Sequence, residues 1–342
     1  MADRINHNVF YIVTRAGTLY GWGHIERACR IFQWLERQKT ELDLMLLLID
    51  EQDLGLKFFN SKKLQKTKVQ TYEGLEELTN QLLTRPGNTL VDLLDPDDLI
   101  DHLAPIRDQL VIMSDKGVCH DGVKKIIVCN PRFVWKDYVP ELMVGGLDYV
   151  VLPPELAEFE STQVGWKPTN QKIIINLGGI LPPQRAARAV EFCDSLQGLL
   201  SNDQKLNRKK LVLKTGINCP HLDELTKNPG IEVSAVFDLR DYVNNTYAAI
   251  NTAGYIRNEL HKIGIPQALV SVADHQSFFA EKFQENNFAP FLGDFDCCNP
   301  SELAKKSLLW LRNVHPPADI NKAETSGQNS PFEKILKIVL AN

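Results

Sequence analysis

Short apolar runs alternate with longer stretches of helical spacing along most of this chain, and this alternation constrains the fold more than any other feature. Continuous apolar runs are typical of strands buried on both faces. Helices between successive strands act as crossovers, so the alternation predicts parallel sheets with helices on both faces. The predicted strands are 9–13, 44–49, 89–93, 110–113, 125–128, 149–152, 172–177, 210–214, 231–235, 248–251 and 267–270. The predicted helices include 25–38, 72–83, 184–199, 222–227 and 256–263.

The chain has 342 residues, which favours two domains over a single core. A polar stretch with several prolines, 153–171, separates two halves that each begin with a strand, a glycine-rich turn and a helix. We predict an α/β fold with two Rossmann-like parallel-sheet domains, 1–160 and 170–315, and a ligand cleft between them. The remaining tail, 316–342, is predicted to be a loop that leads into an amphipathic helix at 331–340.

Charge and cysteine content exclude several classes of function. A net charge of −5 argues against nucleic acid as a partner. No apolar run reaches the ~18–20 residues that span a bilayer, and the N-terminus lacks the core of a signal peptide. Seven scattered cysteines, without a CxxC pair or an HExxH helix, fit neither a disulfide framework nor a zinc site. We therefore expect a cytoplasmic protein, monomeric or dimeric, with no metal and no cofactor.

The first predicted strand leads into the turn YGWGHIERAC at 20–29, which places His24 at the start of a helix. In a parallel α/β domain such a turn lies at the carboxyl end of the sheet, where ligands bind. The N–H groups of a helix start attract anions and disfavour an imidazolium, so we expect a neutral His24 that can accept a proton. A neutral imidazole facing an anionic ligand is a candidate general base. A histidine that only caps the helix would give the same pattern.

Two turns in the second half are candidate nucleotide sites. The glycines of INLGG at 175–179 lack Cβ atoms and allow a pyrophosphate to approach, although a plain strand-to-helix turn explains them equally well. The turn in NTAGYIRNEL at 251–260 precedes a helix whose first N–H groups suit a phosphate. A glutamate one turn into that helix suits the ribose hydroxyls, unless it is a solvated surface charge. The candidate nucleotide and diphosphate residues are Gly178, Gly179, Thr252, Ala253, Gly254, Tyr255 and Glu259.

Polar residues near other strand ends are candidates for contact with a sugar. One of them, Asp274, has the alternative role of a helix N-cap. The acidic cluster in LDPDD at 94–98 is interpreted as a turn and a helix start rather than a metal site. The candidate sugar-side residues are Gly23, Asp92, Asp115, Asn258, Asp274, His275 and Gln276.

Together these motifs resemble the nucleotide-sugar hydrolases of pseudaminic acid biosynthesis, a nonulosonic acid pathway. That family removes UDP from a 2,4-diacetamido-2,4,6-trideoxy sugar. It belongs to the GT-B glycosyltransferase-like group that includes the lipid II N-acetylglucosaminyltransferase. The resemblance extends from about residue 9 to residue 293. It is carried by GWGHIER (21–27), VDLLDP (91–96), YVVLPPELAEF (149–159), INLGGILPPQ (175–184), NCPHLDEL (218–225), NTAGYIRNEL (251–260) and ADHQSFFAEKF (273–283).

The resemblance implies a GT-B-like fold and a UDP-linked amino or deoxy sugar as substrate. It implies that His24 is the catalytic base, that Glu259 binds the ribose and that Gln276 belongs to the sugar-side loop. Three features depart from the family pattern. Leu93 and Leu94 follow Asp92 where the family commonly has Tyr-Gly, prolines at 153 and 154 replace a usual arginine, and the turn at 252–254 has few hydroxyl side chains.

Three functions fit these observations. The leading hypothesis is hydrolysis at the anomeric carbon with inversion, in which His24 activates water and a helix start stabilises the departing diphosphate without a metal. The first alternative is an inverting GT-B glycosyltransferase that uses a UDP-sugar donor, with His24 activating an acceptor hydroxyl. The second alternative is a nucleotide-sugar-binding protein that has lost turnover.

Overall fold

The computed structural model describes residues 9–16, 23–38, 41–50, 55, 68–153, 156, 167–178, 181–215, 230–234, 239–243, 245–315 and 330–341. The chain divides into two compact units. The first unit comprises Met1–Ala157 together with Ala323–Asn342, and the second unit comprises Glu158–Lys322.

Each unit contains one parallel sheet, as the alternation predicts. The sheet of the first unit has the strand order β3-β2-β1-β4-β5-β6-β7, and that of the second unit β10-β9-β8-β11-β12-β13. All pairings between neighbouring strands are parallel. The strands are β1 Val9–Ala16, β2 Asp43–Asp50, β3 Val69–Tyr72, β4 Asn88–Asp92, β5 Leu110–Ser114, β6 Lys125–Val128, β7 Met143–Gly145, β8 Lys172–Asn176, β9 Lys210–Lys214, β10 Ile231–Ser234, β11 Thr246–Thr252, β12 Gln267–Ser271 and β13 Phe291–Asp294.

Helices connect the strands and cover the sheets. The first unit also has short 3-10 segments at Ala104–Gln109, Arg132–Val134 and Leu147–Tyr149. The central strands are fully buried because helices pack on both faces, which explains their continuous apolar runs. The helices are α1 Gly23–Arg37, α2 Leu75–Thr84, α3 Asp97–His102, α4 Pro183–Ser201, α5 Arg240–Val243, α6 Ile256–Lys262, α7 Asp274–Glu285, α8 Pro300–Leu311 and α9 Pro331–Leu340.

The last helix, α9, packs on the first unit although it lies at the far end of the chain. Its Phe332 is 1% exposed and stacks on Trp34 of α1, with ring centroids 5.2 Å apart. Ser330 begins the helix with a capping box to Glu333, which satisfies two backbone N–H groups. Lys334 forms an ion pair of 2.9 Å with Asp148. The amphipathic pattern at 331–340 thus forms the predicted helix, and its apolar face is buried on this unit.

The predicted strand at 149–152 is wrong. Residues Leu147–Tyr149 form a 3-10 turn, and the sheet ends with β7. The apolar run that follows is buried, but Arg30 of α1 donates a hydrogen bond of 2.9 Å to the carbonyl of Val151. The Arg30 side chain therefore satisfies a backbone carbonyl that would be paired by a neighbouring strand if this segment belonged to the sheet.

Other differences concern where single elements begin and which elements were predicted at all. The predicted helix 72–83 begins later, at Leu75, because Tyr72 ends β3. Strands β3, β7 and β13, each of three or four residues, and helices α5 and α8 were not predicted. The predicted helix 222–227 lies outside the described residues.

Removing the Phe332 ring tests whether α9 belongs to the core of the first unit. Phe332→Ala should lower the free energy of unfolding by about 3–5 kcal/mol, because it opens a cavity beside Trp34. Urea denaturation followed by circular dichroism measures this loss. Leu309→Ala is the matched control, since the Leu309 side chain on α8 is 60% exposed and its removal should change stability little. Equal losses in the two variants would contradict the packing of α9.

Candidate active site

In the first unit, the predicted residues collect where the strand order reverses. β1 lies between β2 and β4, so the chain builds the sheet outward in both directions from this strand. In open parallel sheets, ligands bind beyond the carboxyl ends of the strands at such a reversal. Gly23 and His24 begin α1 after β1, Asp92 ends β4, and Asp115 follows β5.

A short hydrogen bond joins His24 to Asp92. His24 Nδ1 lies 2.7 Å from Asp92 Oδ1, and both side chains are buried. An ionised carboxylate only accepts hydrogen bonds, so Nδ1 donates to Asp92 and Nε2 is directed away from that carboxylate. His24 Nε2 lies 3.8 Å from Asp115 Oδ2, which is too long for a direct hydrogen bond. The bond to Asp92 therefore fixes the orientation of the imidazole, with Nε2 next to Asp115.

Arg27, one turn along α1 from His24, connects the two carboxylates. It donates from Nε to Asp92 Oδ2 at 2.7 Å and from Nη2 to Asp92 Oδ1 at 2.5 Å. It also donates from Nη1 to Asp115 Oδ1 at 2.9 Å. A two-point contact between guanidinium and carboxylate sets direction as well as distance. Arg27 thus holds the partner of His24 in one orientation.

The electrostatics keep this cluster charged. Burial alone would raise the pKa of Asp92, but the charge and hydrogen bonds of Arg27, and then the hydrogen bond from His24, lower it below its ordinary value. Burial alone would lower the pKa of Arg27, but Asp92 and then Asp115 raise it well above its ordinary value. Each buried charge is stabilised by its partner, so the ion pair persists at neutral pH.

Arg27 was missed in the sequence, although the signal for it was present. It lies three residues after His24 within GWGHIER, and residues at this spacing share one face of a helix. An arginine on the same helix face as a candidate base, together with two acidic residues at strand ends, predicts an ion pair.

The second unit has its own reversal at β8, which lies between β9 and β11. After β8, Gly178 adopts a φ of 107° and donates its N–H to Asn176 Oδ1 at 3.1 Å. Residues other than glycine are strained in this backbone conformation, because their Cβ atom crowds the backbone. Gly178 is therefore required by the turn itself, and Gly179 lies outside the described residues.

The buried side chain of Arg257 stabilises the turn between β11 and α6. This arginine is 1% exposed and donates from Nη1 to the carbonyls of Ala253 at 2.8 Å and Gly254 at 2.7 Å. Its guanidinium lies over the ring of Phe279, 3.9 Å from the centroid. The N–H of Ala253 donates to the carbonyl of Val270 in β12, so it is not available to a phosphate.

The remaining predicted residues lie around this turn. A Cβ placed on Gly254 would be 3.7 Å from Thr252 Oγ1 and 4.0 Å from Gln276 Nε2, so the turn and the start of α7 are neighbours. Gln276 Oε1 accepts the N–H of Val272 at 3.2 Å. Three more candidates lie at the start of α6: Tyr255 immediately precedes this helix, and Asn258 and Glu259 belong to it. Asp274 and His275 are the first two residues of α7.

Two alternatives weighed for these residues are excluded. Glu259 is 3% exposed, so it is not a solvated surface charge. Asp274 is the first residue of α7 rather than its N-cap, which is Ala273.

Within the described residues, no helix is long and apolar enough to cross a bilayer. In the same part of the chain, no group of three or more His, Cys, Asp or Glu side chains is arranged to hold a metal ion.

No protein-family model matches the chain, and no curated protein matches it in sequence. Solved structures share its fold. MurG of Acinetobacter baumannii is 11% identical with a TM-score of 0.61, over 96% of this chain and 99% of that one. The UDP-GlcNAc 2-epimerase of Methanocaldococcus jannaschii, in complex with UDP-GlcNAc and UDP, is 13% identical with a TM-score of 0.60, over 97% and 99%. The spinosyn rhamnosyltransferase SpnG with thymidine diphosphate is 10% identical with a TM-score of 0.58, over 96% and 99%.

These similarities, together with the two parallel sheets, define a GT-B-like fold with two Rossmann-like domains. The predicted fold class is confirmed to that extent. At this level of identity the similarity concerns the fold alone, so the function has to be argued from the side chains.

The buried ion pair makes a testable contribution to stability. Asp92→Ala leaves the Arg27 charge without its main partner, so the free energy of unfolding should fall by about 3–5 kcal/mol. The double variant Arg27→Leu with Asp92→Leu removes both charges and should lose less than Asp92→Ala alone. Asp43→Ala is the control, because Asp43 and Arg85 form an exposed pair at 2.7 Å and should contribute little. A double variant less stable than Asp92→Ala would contradict this account.

The second unit contains a buried histidine outside the predicted site. His261 of α6 is 6% exposed and stacks on Phe288, with ring centroids 4.6 Å apart. Among the described residues, neither ring nitrogen has a hydrogen-bond partner. Burial lowers the pKa of His261 to about 4.

This pKa predicts acid destabilisation. The unfolded chain binds a proton on His261 near pH 6.5, whereas the folded chain binds it near pH 4, so stability falls as the pH drops through this window. The loss is on the order of 3 kcal/mol. His261→Phe keeps a ring stacked on Phe288 but cannot bind a proton. In urea unfolding measured across this pH window, the variant should therefore lack the fall in the free energy of unfolding that His261 causes. His315→Gln, at an exposed histidine of the same unit, should retain it, and an unchanged slope in His261→Phe would contradict the assignment.

Proposed function

We propose that this chain hydrolyses a nucleoside-diphosphate sugar at its anomeric carbon, with inversion and with His24 as the general base. The observation that carries the proposal is the 2.7 Å hydrogen bond from His24 Nδ1 to Asp92. It leaves the Nε2 lone pair oriented by a buried carboxylate, which is the arrangement that a general base needs.

The chemistry follows from this orientation. The oxygen of a water attacks the anomeric carbon on the face opposite the diphosphate and transfers one proton to His24 Nε2. The bond from that carbon to the diphosphate oxygen breaks, and its electron pair leaves with the diphosphate. A nucleoside diphosphate is a weakly basic leaving group, so no strong general acid is needed. Asp92 stabilises the imidazolium that forms, while Arg27 keeps the carboxylate in place.

We assign nucleotide binding to the second unit. Gly178, Gly254 and Tyr255 are the proposed diphosphate contacts, with the neighbouring Thr252 and Ala253 shaping the turn, and Gly179 is proposed from the sequence alone. Glu259 is the proposed ribose ligand, since a buried carboxylate accepts two hydroxyl hydrogen bonds well. UDP is the proposed nucleotide, because proteins of this fold have been described with UDP-GlcNAc and UDP. The proposed sugar is the 2,4-diacetamido-2,4,6-trideoxy sugar implied by the sequence resemblance.

A glycosyltransferase with a UDP-sugar donor is the second candidate, and the fold shared with the rhamnosyltransferase SpnG supports a transferase. In that case His24 would deprotonate an acceptor hydroxyl instead of water. Proton NMR of a reaction without acceptor separates the two functions. A hydrolase releases free sugar of inverted anomeric configuration together with UDP, whereas a transferase leaves the donor intact.

The base is tested by removing it. His24→Ala should lower the turnover of UDP-2,4-diacetamido-2,4,6-trideoxy-β-L-altropyranose by about 10²–10⁴-fold, because no group remains to deprotonate water. UDP affinity, measured by calorimetry, should be unchanged. Asp92→Asn should also lose turnover, because an amide nitrogen facing Nδ1 favours the wrong tautomer. His102→Gln, at an exposed histidine of the first unit, is the control. Full turnover in a folded His24→Ala variant would exclude the proposed base.

A further inference from the structure

We propose that two side-chain amides of the second unit, Asn176 and Gln276, bind the diphosphate of the substrate through their NH2 groups. The inference rests on the proposed function and deepens it, because it assigns the donors that hold the leaving group. In the sequence, Gln276 is a candidate for contact with the sugar, and Asn176 is not among the candidates. The hydrogen bonds of both side chains favour the diphosphate instead.

A backbone N–H orients each of the two amides. The N–H of Gly178 donates to Asn176 Oδ1 at 3.1 Å, and the N–H of Val272 donates to Gln276 Oε1 at 3.2 Å. An amide that accepts through its oxygen directs its NH2 group elsewhere. Within the described residues, neither Asn176 Nδ2 nor Gln276 Nε2 donates a hydrogen bond. The backbone therefore holds in place two amide donors that a ligand can use.

The two amides flank the turn between β11 and α6. In the sheet, β11 lies between β8 and β12. Asn176 is the last residue of β8 and the register partner of Asn251 in β11, whereas Gln276 lies on α7, the helix that follows β12. A Cβ placed on Gly254 of the turn would be 4.0 Å from Gln276 Nε2. Neighbouring strands are about 4.8 Å apart, so both amides are within reach of one small group above the turn.

Asn176 lies where ligands bind in open parallel sheets. The order of the strands reverses at β8, and Asn176 ends this strand. It is 5% exposed and follows three isoleucines, 173–175, that are at most 1% exposed. A buried amide group costs free energy unless it is hydrogen-bonded, so the NH2 group of Asn176 needs a partner. A ligand bound at the reversal of the strand order would be that partner.

The chemistry of the two amides selects the kind of group that binds. Both amide oxygens already accept from the backbone, so these side chains offer donors to a ligand. A sugar hydroxyl both donates and accepts, and two donors would satisfy only its acceptor side. The oxygens of a diphosphate only accept, and a hydrogen bond to a charged group is about twice as strong as one between neutral groups. Two amide donors therefore suit a diphosphate better than a sugar.

Two other donors of this turn are engaged within the protein. The N–H of Ala253 donates to the carbonyl of Val270, and Nη1 of Arg257 donates to carbonyls of the turn. The amides would supply hydrogen bonds that these two donors do not. As the bond to the anomeric carbon breaks, negative charge grows on the diphosphate. Donors that are held in place beforehand stabilise this charge without rearrangement.

Exchanging each amide for a carboxylate separates ligand binding from a structural role. In Asn176→Asp and Gln276→Glu, the carboxylate can still accept from Gly178 or Val272, but a negatively charged oxygen replaces the donor. The Kd of UDP, measured by calorimetry, should rise about tenfold or more in each variant, because a hydrogen bond to a charged group is lost. The Kd of uridine, measured by NMR titration, should be unchanged. A merely structural role would leave the Kd of UDP unchanged as well.

Asn299→Asp is the matched control and should change neither Kd. Asn299 Oδ1 accepts the backbone N–H of Ser301 at 2.9 Å, so the same exchange is made at an exposed amide of this unit. An unaltered Kd of UDP in Asn176→Asp and Gln276→Glu would overturn the proposal, as would a wild type that binds UDP no more tightly than uridine.

A second measurement needs no variant. A crystal structure of the wild type with UDP should show Asn176 Nδ2 and Gln276 Nε2 within hydrogen-bond distance of diphosphate oxygens, and contacts to the ribose or the base alone would overturn the proposal. If these contacts are present but no UDP-sugar is hydrolysed, the amides are correctly assigned and the proposed hydrolysis is wrong. If hydrolysis is observed without these contacts, the reverse holds.

Discussion

The carboxyl edge of the first sheet depends on one buried ion pair, between Arg27 and Asp92. Removing two charges from water is costly, and the pair is tolerated because the guanidinium meets Asp92 at two points, at 2.7 and 2.5 Å. Asp92 in turn accepts from His24, and Arg27 also reaches Asp115. Without the pair, the carboxylate that accepts from His24 would lose the donor that orients it, and Asp92 and Asp115 would no longer share one guanidinium.

The second unit uses a buried arginine in the same way. Arg257 is held over Phe279 and donates to the carbonyls of the turn between β11 and α6. Arg27 orients side chains, whereas Arg257 orients backbone. In both units a guanidinium that is 1% exposed holds polar groups in place near the carboxyl edge of a parallel sheet. Rigid positioning of polar groups is what catalytic and anion-binding sites require.

The GT-B-like fold narrows the function without deciding it. Proteins that share the fold are described as a 2-epimerase and a rhamnosyltransferase, at 10–13% identity with this chain. The fold places strand ends and helix starts at the edge of each sheet, and the side chains there decide the chemistry. In this chain the distinguishing feature is a histidine flanked by two carboxylates, one buried and one partly exposed.

The sequence by itself determined the parallel α/β class, because buried strands and crossover helices have different periods. It also determined the place of His24, because a strand and a glycine turn precede its helix. Only the tertiary structure decided that Arg27 joins Asp92 to Asp115, since these residues are 65 and 88 positions apart from it. It likewise decided the burial of Glu259 and the pairing of the short strands β3, β7 and β13. Those features depend on contacts between distant segments, which local spacing does not encode.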